Sequence, residues 1–532
     1  MDVLSLLADG FAVAFTPTNL SLALLGALLG TAVGMLPGIG PINGIVVLIP
    51  LAFALNLPAT SMLILFAGIY YGAEYGNSIS AILLNVPGTS AAVVTAMEGN
   101  ILARVGRAGP ALATSAMSSF FGSNVSIVAM MLFAPILAQW AIKFGPVEYF
   151  VLIVFAFSTL SSLAGGNPIK GFLATLIGLM LSTIGQDMSG VNRYTFGQLK
   201  LLDGLDFVVV VIGFFAVNEV LRLTYESQSG QNVMTSVGRV FVPLREFFSK
   251  IGTLIRSATI GFLVGILPGA GAAIGSFIAY TTEKRLANVE EDSFGETGDI
   301  RGVASPESAN NAAVSGALIP LLTLGIPGSG TTAVMLGALI GIGIQPGPNL
   351  IPQQPEIFWG LIAAMYIGNL MLLTLNLPLV GIFIRVLQVP RWFLYPAIIA
   401  VSFVAVYAVS NSHFDILLMT GLGVLGFLLH MLKLPLPPVI LGLILGPLME
   451  LNLRRALTLS KGDWTYLFIG GTPKNFQFIT ESIGQGDWNA LSSMPVITVI
   501  LWLMTIGSLF LPLLLRSSSG QPTEISVEGE TP

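Results

Sequence analysis

The sequence predicts an all-α polytopic membrane protein built from two related halves. Three observations carry this expectation. The 532-residue chain is 54% hydrophobic and only 9% charged, with a mean hydropathy of +0.85; soluble domains run near roughly a quarter charged. Apolar stretches of about 17–25 residues, the length that crosses a bilayer as a helix, recur along it. A glycine-rich motif that interrupts one of them, GTAVGMLPGIGP at 30–41, returns as GFLVGILPGAGA at 261–272. A soluble chain of this composition would lack the polar residues to cover its surface.

Taken in order, the N-terminal stretch MDVLSLLADGFAVAFTPTNL has no basic leader and no A-x-A-like site near its end, so it reads as mature protein with an interfacial helix. Helices are expected around 19–36, 41–57, 59–84, 110–137, 146–164, 168–186 and 206–223. Later ones are expected around 253–267, 272–287, 308–325, 330–345, 356–386, 393–411, 413–432, 436–449 and 493–515. Several are too short to cross alone and read as half-helices or re-entrant hairpins. The polar link after 221 carries Arg222, Arg239, Arg245, Lys250 and Arg256, a basic excess expected on the cytoplasmic side. The expected division is a first transmembrane repeat at 1–221, a linker at 222–252, a second repeat at 253–515 and a disordered polar tail at 516–532. A last polar stretch before the final helix carries Trp464, Tyr466 and Trp488, aromatics suited to an interface.

The halves align through two motif pairs. Pro37 falls on Pro268, 231 positions later, and seven of eleven columns between Gly30–Gly40 and Gly261–Gly271 are identical. Pro87 in NVPGTS falls on Pro327 in GIPGSGTT, 240 positions later. Order is kept and spacing nearly so, which points to duplication. Inverted repeats are expected, although identity shows duplication alone; inversion depends on an odd number of crossings between equivalent helices.

Each of the four Pro–Gly steps removes a backbone donor and opens a helix inside the membrane. Freed polar groups are tolerated there only when packed in protein or lining a cavity. The helix-breaking prolines are Pro37, Pro87, Pro268 and Pro327. A helix starting after such a break offers unpaired N–H groups and the positive end of its dipole, which suits an anion. The candidate substrate-binding residues are therefore Asn85, Gly88, Thr89, Ser90, Gly328, Ser329, Gly330, Thr331 and Thr332, with Asn310 and Asn311 as lining residues. Gly38, Gly40, Asn43, Gly269, Gly271, Ser276 and Gly325 are candidates for shaping the site or holding a coupling ion. Duplicated broken helices point to a secondary transporter; close helix packing is the alternative use of such small residues.

Other polar residues have two readings. Glu74 belongs either to an ion path or to an interface beside Tyr70, Tyr71 and Tyr75. Ser305 and Pro306 have the chemistry of a helix start just before Glu307. His413 and Asp415 are expected at a helix end, and His430 at an interface. With no cysteine and two histidines, disulfides, thiolate metal sites and multi-histidine sites are excluded, and little is left for an intramembrane enzyme. No cofactor and no transition metal are expected. The chain has no G-x-x-x-x-G-K-[ST] loop, and no long basic patch suggests nucleic acid.

GTAVGMLPGIGP, GNSISAILLNVPGTSAAVVTAMEG, GFLVGILPGAGAAIGSF and ESANNAAVSGALIPLLTLGIPGSGTTAVMLGAL resemble the signature stretches of the TctA family, the large membrane subunit of tripartite tricarboxylate transporters. The similarity runs from about residue 17 to 515 and includes LPLPPVILGLILGPLME. The resemblance implies a multi-pass protein of the bacterial inner membrane. Its implied partners are a small membrane subunit and a periplasmic solute-binding protein that delivers an organic carboxylate. Uptake would then be driven by a Na⁺ or H⁺ gradient, with an elevator-like movement of paired hairpins. A stand-alone ion-coupled carboxylate carrier is the main alternative; an ion channel and a non-transporting scaffold are further ones.

Overall fold

The computed structural model describes residues 3–36, 39–163, 167–187, 189–225, 237–269, 271–287, 294, 298–386, 391–471, 473–484 and 495–518. Pro37 and Gly38, much of the linker (226–236), Trp488 and the tail beyond Ser518 lie outside them. The described residues are mostly helical, with one two-residue antiparallel ladder among them, Gly185–Gln186 against Asn192–Arg193. Six helices are long and apolar enough to cross a membrane, among the described residues. The all-α polytopic expectation holds.

The first part contains α1 (Val3–Ala14), α2 (Pro17–Met35), α3 (Gly40–Ala54), α4 (Ala59–Leu84), α5 (Val93–Leu102), α6 (Ala108–Ala141), α7 (Pro146–Leu163), α8 (Pro168–Ser182), α9 (Phe207–Val211) and α10 (Asn218–Tyr225). A π-helical stretch, Ile212–Val217, joins α9 to α10. Then come α11 (Leu244–Phe248), α12 (Ile251–Ile266), α13 (Gly271–Leu286), α14 (Arg301–Leu324), α15 (Gly330–Gly341), α16 (Leu350–Gln353), α17 (Pro355–Asn376) and α18 (Val380–Val386). The chain continues through α19 (Arg391–Ser410), α20 (His413–Met431), α21 (Leu436–Leu459), α22 (Tyr466–Ile469), α23 (Pro473–Gly484) and α24 (Val496–Ser518).

The motif pairs share backbone geometry as well as sequence. α2 ends at Leu36 (φ −78°, ψ 118°) and α12 at Leu267 (φ −75°, ψ 122°). The next helix in each half begins at a glycine with positive φ, Gly40 at 64° and Gly271 at 63°. α4 and α14 both end on a left-handed residue, Asn85 (φ 56°) and Gly325 (φ 69°). The following N–H groups fold back alike, Val86 to Ser80 O at 3.4 Å and Ile326 to Pro320 O at 3.2 Å. Packing repeats too. A Cβ on Gly34 would sit 2.2 Å from Ala73 O, and one on Gly265 would sit 2.4 Å from Ala313 O. These partners keep the 231 and 240 spacings, so α2 lies on α4 as α12 lies on α14, backbone to backbone.

Three of the departures from the expected helices have a cause visible in the contacts. α14 starts at Arg301, because the Asp299 carboxylate accepts the Arg301 N–H at 2.7 Å. Ser305 and Pro306 therefore lie inside the helix and do not cap it; the Pro306 carbonyl accepts the Ser276 hydroxyl at 3.2 Å. The 356–386 stretch divides into α17 and α18 around Pro378, which has no N–H to give. α21 continues past 449 through polar turns held by Glu450 and Arg454, four residues apart and 2.7 Å between charged atoms.

α4, α6 and α14 form the centre, and it is unusually polar. Glu307 of α14 is fully buried, accepting from Thr95 at 2.5 Å and Ser119 at 3.2 Å. Ser115 donates to Ser78 at 2.7 Å, and Ser315 bonds both Tyr71 and Ser126. Buried polar groups need such partners to be tolerated.

Candidate functional site

The breaks of both halves meet around one cavity of about 780 Å³. The first half contributes Gly40, Asn43 and the turn Pro87–Ser90; the second contributes Gly269, Gly271 and the turn Ser329–Thr331. Two bonds hold the breaks together. The Gly269 N–H donates to Gly328 O at 2.9 Å, seating one second-half break on the other. Tyr70 of α4 lies 3.1 Å from the Ser329 hydroxyl, tying the first half to the second.

Each turn has its own cap chemistry. Ser329 caps α15: its hydroxyl accepts the Thr332 N–H at 3.2 Å, while Thr332 Oγ1 accepts the Ser329 N–H at 2.8 Å. The first turn of α15 still presents the N–H groups of Gly330 and Thr331 at the positive end of the helix. In the first half Thr89 has no capping bond of this kind. Its hydroxyl instead accepts from Asn77 Nδ2 at 2.7 Å, and the same amide donates to Glu74 at 2.8 Å. Thr89 is thereby held by a side chain that also fixes a carboxylate.

Of the expected substrate contacts, Gly88, Thr89, Ser90, Ser329, Gly330 and Thr331 line the cavity. Asn85, Gly328, Thr332, Asn310 and Asn311 stand outside its lining. Asn85 is the exposed end of α4, Gly328 is pressed against Ala317, and Thr332 is consumed by the cap. Asn310 and Asn311 are fully buried in the polar centre, with Asn311 donating to Asn310 at 2.6 Å. Of the shaping and ion candidates, Gly40, Asn43, Gly269 and Gly271 line the cavity. Ser276 is buried behind it, and Gly325 faces a different cavity. Pro87 lines the site, whereas Pro268 and Pro327 do not; Pro37 and Gly38 are outside the described residues.

The structure adds residues to the wall. Glu74 is 4% exposed and faces the cavity, so it belongs to the site and not to an interface. Asn218, Glu219 and Arg222 reach it from α10, with Arg222 paired to Glu219. An arginine therefore stands at a site where the motifs alone pointed to none. His430, in the last turn of α20, also lines it. The signal was an Asn–Glu pair and an arginine within one helical turn of an otherwise apolar helix. Two amide oxygens on the wall, Asn43 Oδ1 and Asn218 Oδ1, are buried and have no hydrogen-bond partner. Among the described residues no group of three or more His, Asp or Glu side chains is placed to hold a metal.

Residues 20–441 match the model of the tripartite tricarboxylate transporter TctA family. The chain belongs to that family. It is thus a component of a tripartite tricarboxylate transporter and a multi-pass membrane protein. Two similar proteins come from Agrobacterium vitis. An uncharacterized 52.8 kDa protein of the TAR-I ttuC' 3'region is 45% identical over 464 residues, 87% of this chain and 92% of the relative. An uncharacterized protein of the TAR-II ttuC' 3'region is 47% identical over 205 residues, 38% of this chain and 84% of the relative. No solved structure matches. The match of this TctA-family chain extends over both motif pairs, so every residue contributed to the cavity by the breaks lies within it.

Proposed function

We propose that this chain is the large transmembrane subunit of a secondary transporter that takes up organic carboxylates across the bacterial inner membrane. The carrying observation is the convergence of both halves' breaks on one cavity. The backbone N–H groups and hydroxyls at Gly88–Ser90 and Ser329–Thr331 suit carboxylate oxygens. The same wall holds the Glu74 and Glu219 carboxylates and the unpartnered Asn43 and Asn218 oxygens. A carboxylate beside them is costly in low dielectric unless a cation enters too. This supports coupling to Na⁺ or H⁺, with the ion taken at the oxygen-rich side of the wall.

In this reading a solute-binding protein delivers the carboxylate, a small membrane subunit completes the assembly, and the halves act as inverted repeats. Nothing covalent is made or broken. Co-purification with a neighbouring-encoded binding protein separates this reading from a stand-alone carrier. Uptake into vesicles carrying the assembly, with Na⁺ and H⁺ gradients collapsed one at a time, tests the coupling. Accumulation should vanish with one of them. Accumulation that persists without either refutes gradient coupling, and flux that never exceeds equilibrium indicates a channel.

A further inference from the structure

A second cavity, of about 440 Å³, lies on the far side of the second-half break. Gly325 and Ile326 line it, whereas Ser329–Thr331 line the main cavity. Only Pro327 and Gly328 stand between along the chain, and both are buried. The two cavities are therefore separated by a single short turn.

Their depth in the membrane follows from α21, a candidate span. Leu436, its first residue, lines the main cavity, and Arg455 lines the second. At 1.5 Å per residue the nearest lining residues on α21, Pro437 at the main cavity and Leu448 at the second, are about 17 Å apart along the helix, about half of the roughly 30 Å of a hydrocarbon core. α7 repeats the relation in the reverse direction, with Tyr149 at the second cavity and Leu160 at the main one. The main cavity is the nearer of the two to the basic linker: Arg222 lines it one turn before α10 ends at Tyr225, whereas α14 runs its full length from Arg301, beside Lys250, to Leu324 at the second cavity. The second cavity lies toward the opposite face.

Its wall suits an anion. Gln345, Gln353 and Asn452 provide amides, and Arg455 provides a charge. Arg454, next to it, is held by Asp187 at 3.3 Å and Glu450 at 2.7 Å. Arg455 is exposed and has no acidic partner among the described residues.

We propose that this second cavity is an entry vestibule for carboxylate anions, on the face opposite the linker. Arg455 holds the anion there, and the Ile326–Gly328 turn is the partition it passes to reach the main cavity. The proposal rests on the transport reading above.

The chain's lack of cysteine makes the test direct. Gln353→Cys, Asn452→Cys and Ser90→Cys are made singly and treated with a membrane-impermeant maleimide from each side. A protease site inserted within 226–236 marks the linker face. Gln353→Cys and Asn452→Cys should react from the face opposite the linker, and Ser90→Cys at least about tenfold faster from the linker face. Reaction of all three from one face overturns the vestibule. In uptake assays with citrate, succinate and acetate as probes, Arg455→Gln should raise the half-saturating concentration of whichever acid is accumulated about fivefold. Arg455→Lys should recover most of that loss. An unchanged value in Arg455→Gln overturns the role of Arg455. If the parent protein accumulates no carboxylate, the transport reading fails by itself, and the labelling pattern still decides where the second cavity opens.

Discussion

Gly88 is where the first-half break rests on α2, and replacing it by alanine is a sharp perturbation. A Cβ there would lie 1.8 Å from Gly34 O and 3.0 Å from the Gly34 carbonyl carbon. An ordinary carbon–oxygen contact is well beyond 3 Å, so the turn and the end of α2 must separate by more than about 1 Å. Both partners are backbone, and no side-chain rotation relieves the clash. Overpacking of this kind costs about 1–3 kcal/mol, or roughly five- to 150-fold in the population of the intact arrangement. The displaced residues are those that line the cavity, so uptake should fall about ten- to 100-fold. Gly328→Ala meets Ala317 Cα at 2.7 Å and should behave similarly but less severely. Gly421 of α20 has nothing within 4 Å of its added Cβ, so Gly421→Ala is the control. It should transport normally and gain about 0.5–1 kcal/mol of stability. The assay is initial uptake into vesicles at matched amounts of membrane-inserted, monodisperse protein. Wild-type uptake in Gly88→Ala would refute the reasoning, as would an equal loss in Gly421→Ala.

Ser329→Ala removes the cap of α15 and the partner of Tyr70, and should lower stability by about 1 kcal/mol; thermal melts in detergent check this, with Ser329→Thr expected to retain most of it. Glu74→Gln keeps the size of the side chain and removes its charge from the wall. Uptake in that variant should lose its dependence on the cation gradient, measured by collapsing Na⁺ and H⁺ gradients separately. Asp187 lies in the loop after α8, where N–H bonds from Val191 and Ser189 and the Arg454 charge hold its carboxyl below the usual aspartate range. A depressed carboxyl contributes order above its unfolded pKa and loses it as pH falls through the folded one. Amide protection factors at Ser189 and Val191 should therefore hold from neutral pH down to about 4 and decline only below that.

The fold was legible because its strongest signals are local. Hydropathy marks spans one at a time, and the duplicated GTAVGMLPGIGP and NVPGTS motifs mark the breaks without any knowledge of packing. The boundaries that differed involve tertiary or polar contacts that hydropathy does not see. Asp299 starts α14 early, and the Glu450–Arg454 pair carries α21 onward after its apolar run ends. The site was half legible. The turns at Gly88–Ser90 and Ser329–Thr331 follow from where a helix breaks. Asn218, Glu219, Arg222 and His430 come from helices distant in sequence, and only their packing brings them to the wall. Asn310 and Asn311 illustrate the opposite limit. Polar residues in an apolar helix are equally suited to a cavity and to a hydrogen-bonded centre; here both lie in the centre beside Glu307, with Asn310 Nδ2 and Asn311 Oδ1 left without a hydrogen-bond partner.

The central claim is that breaks from both halves share one carboxylate site. Substrate protection tests it most directly. Ser90→Cys and Thr331→Cys, one from each half, are alkylated in the presence of mono-, di- and tricarboxylates. The acid that the parent protein accumulates should slow alkylation at both positions over the same concentration range. Protection at neither position, or at one alone, would contradict a shared site.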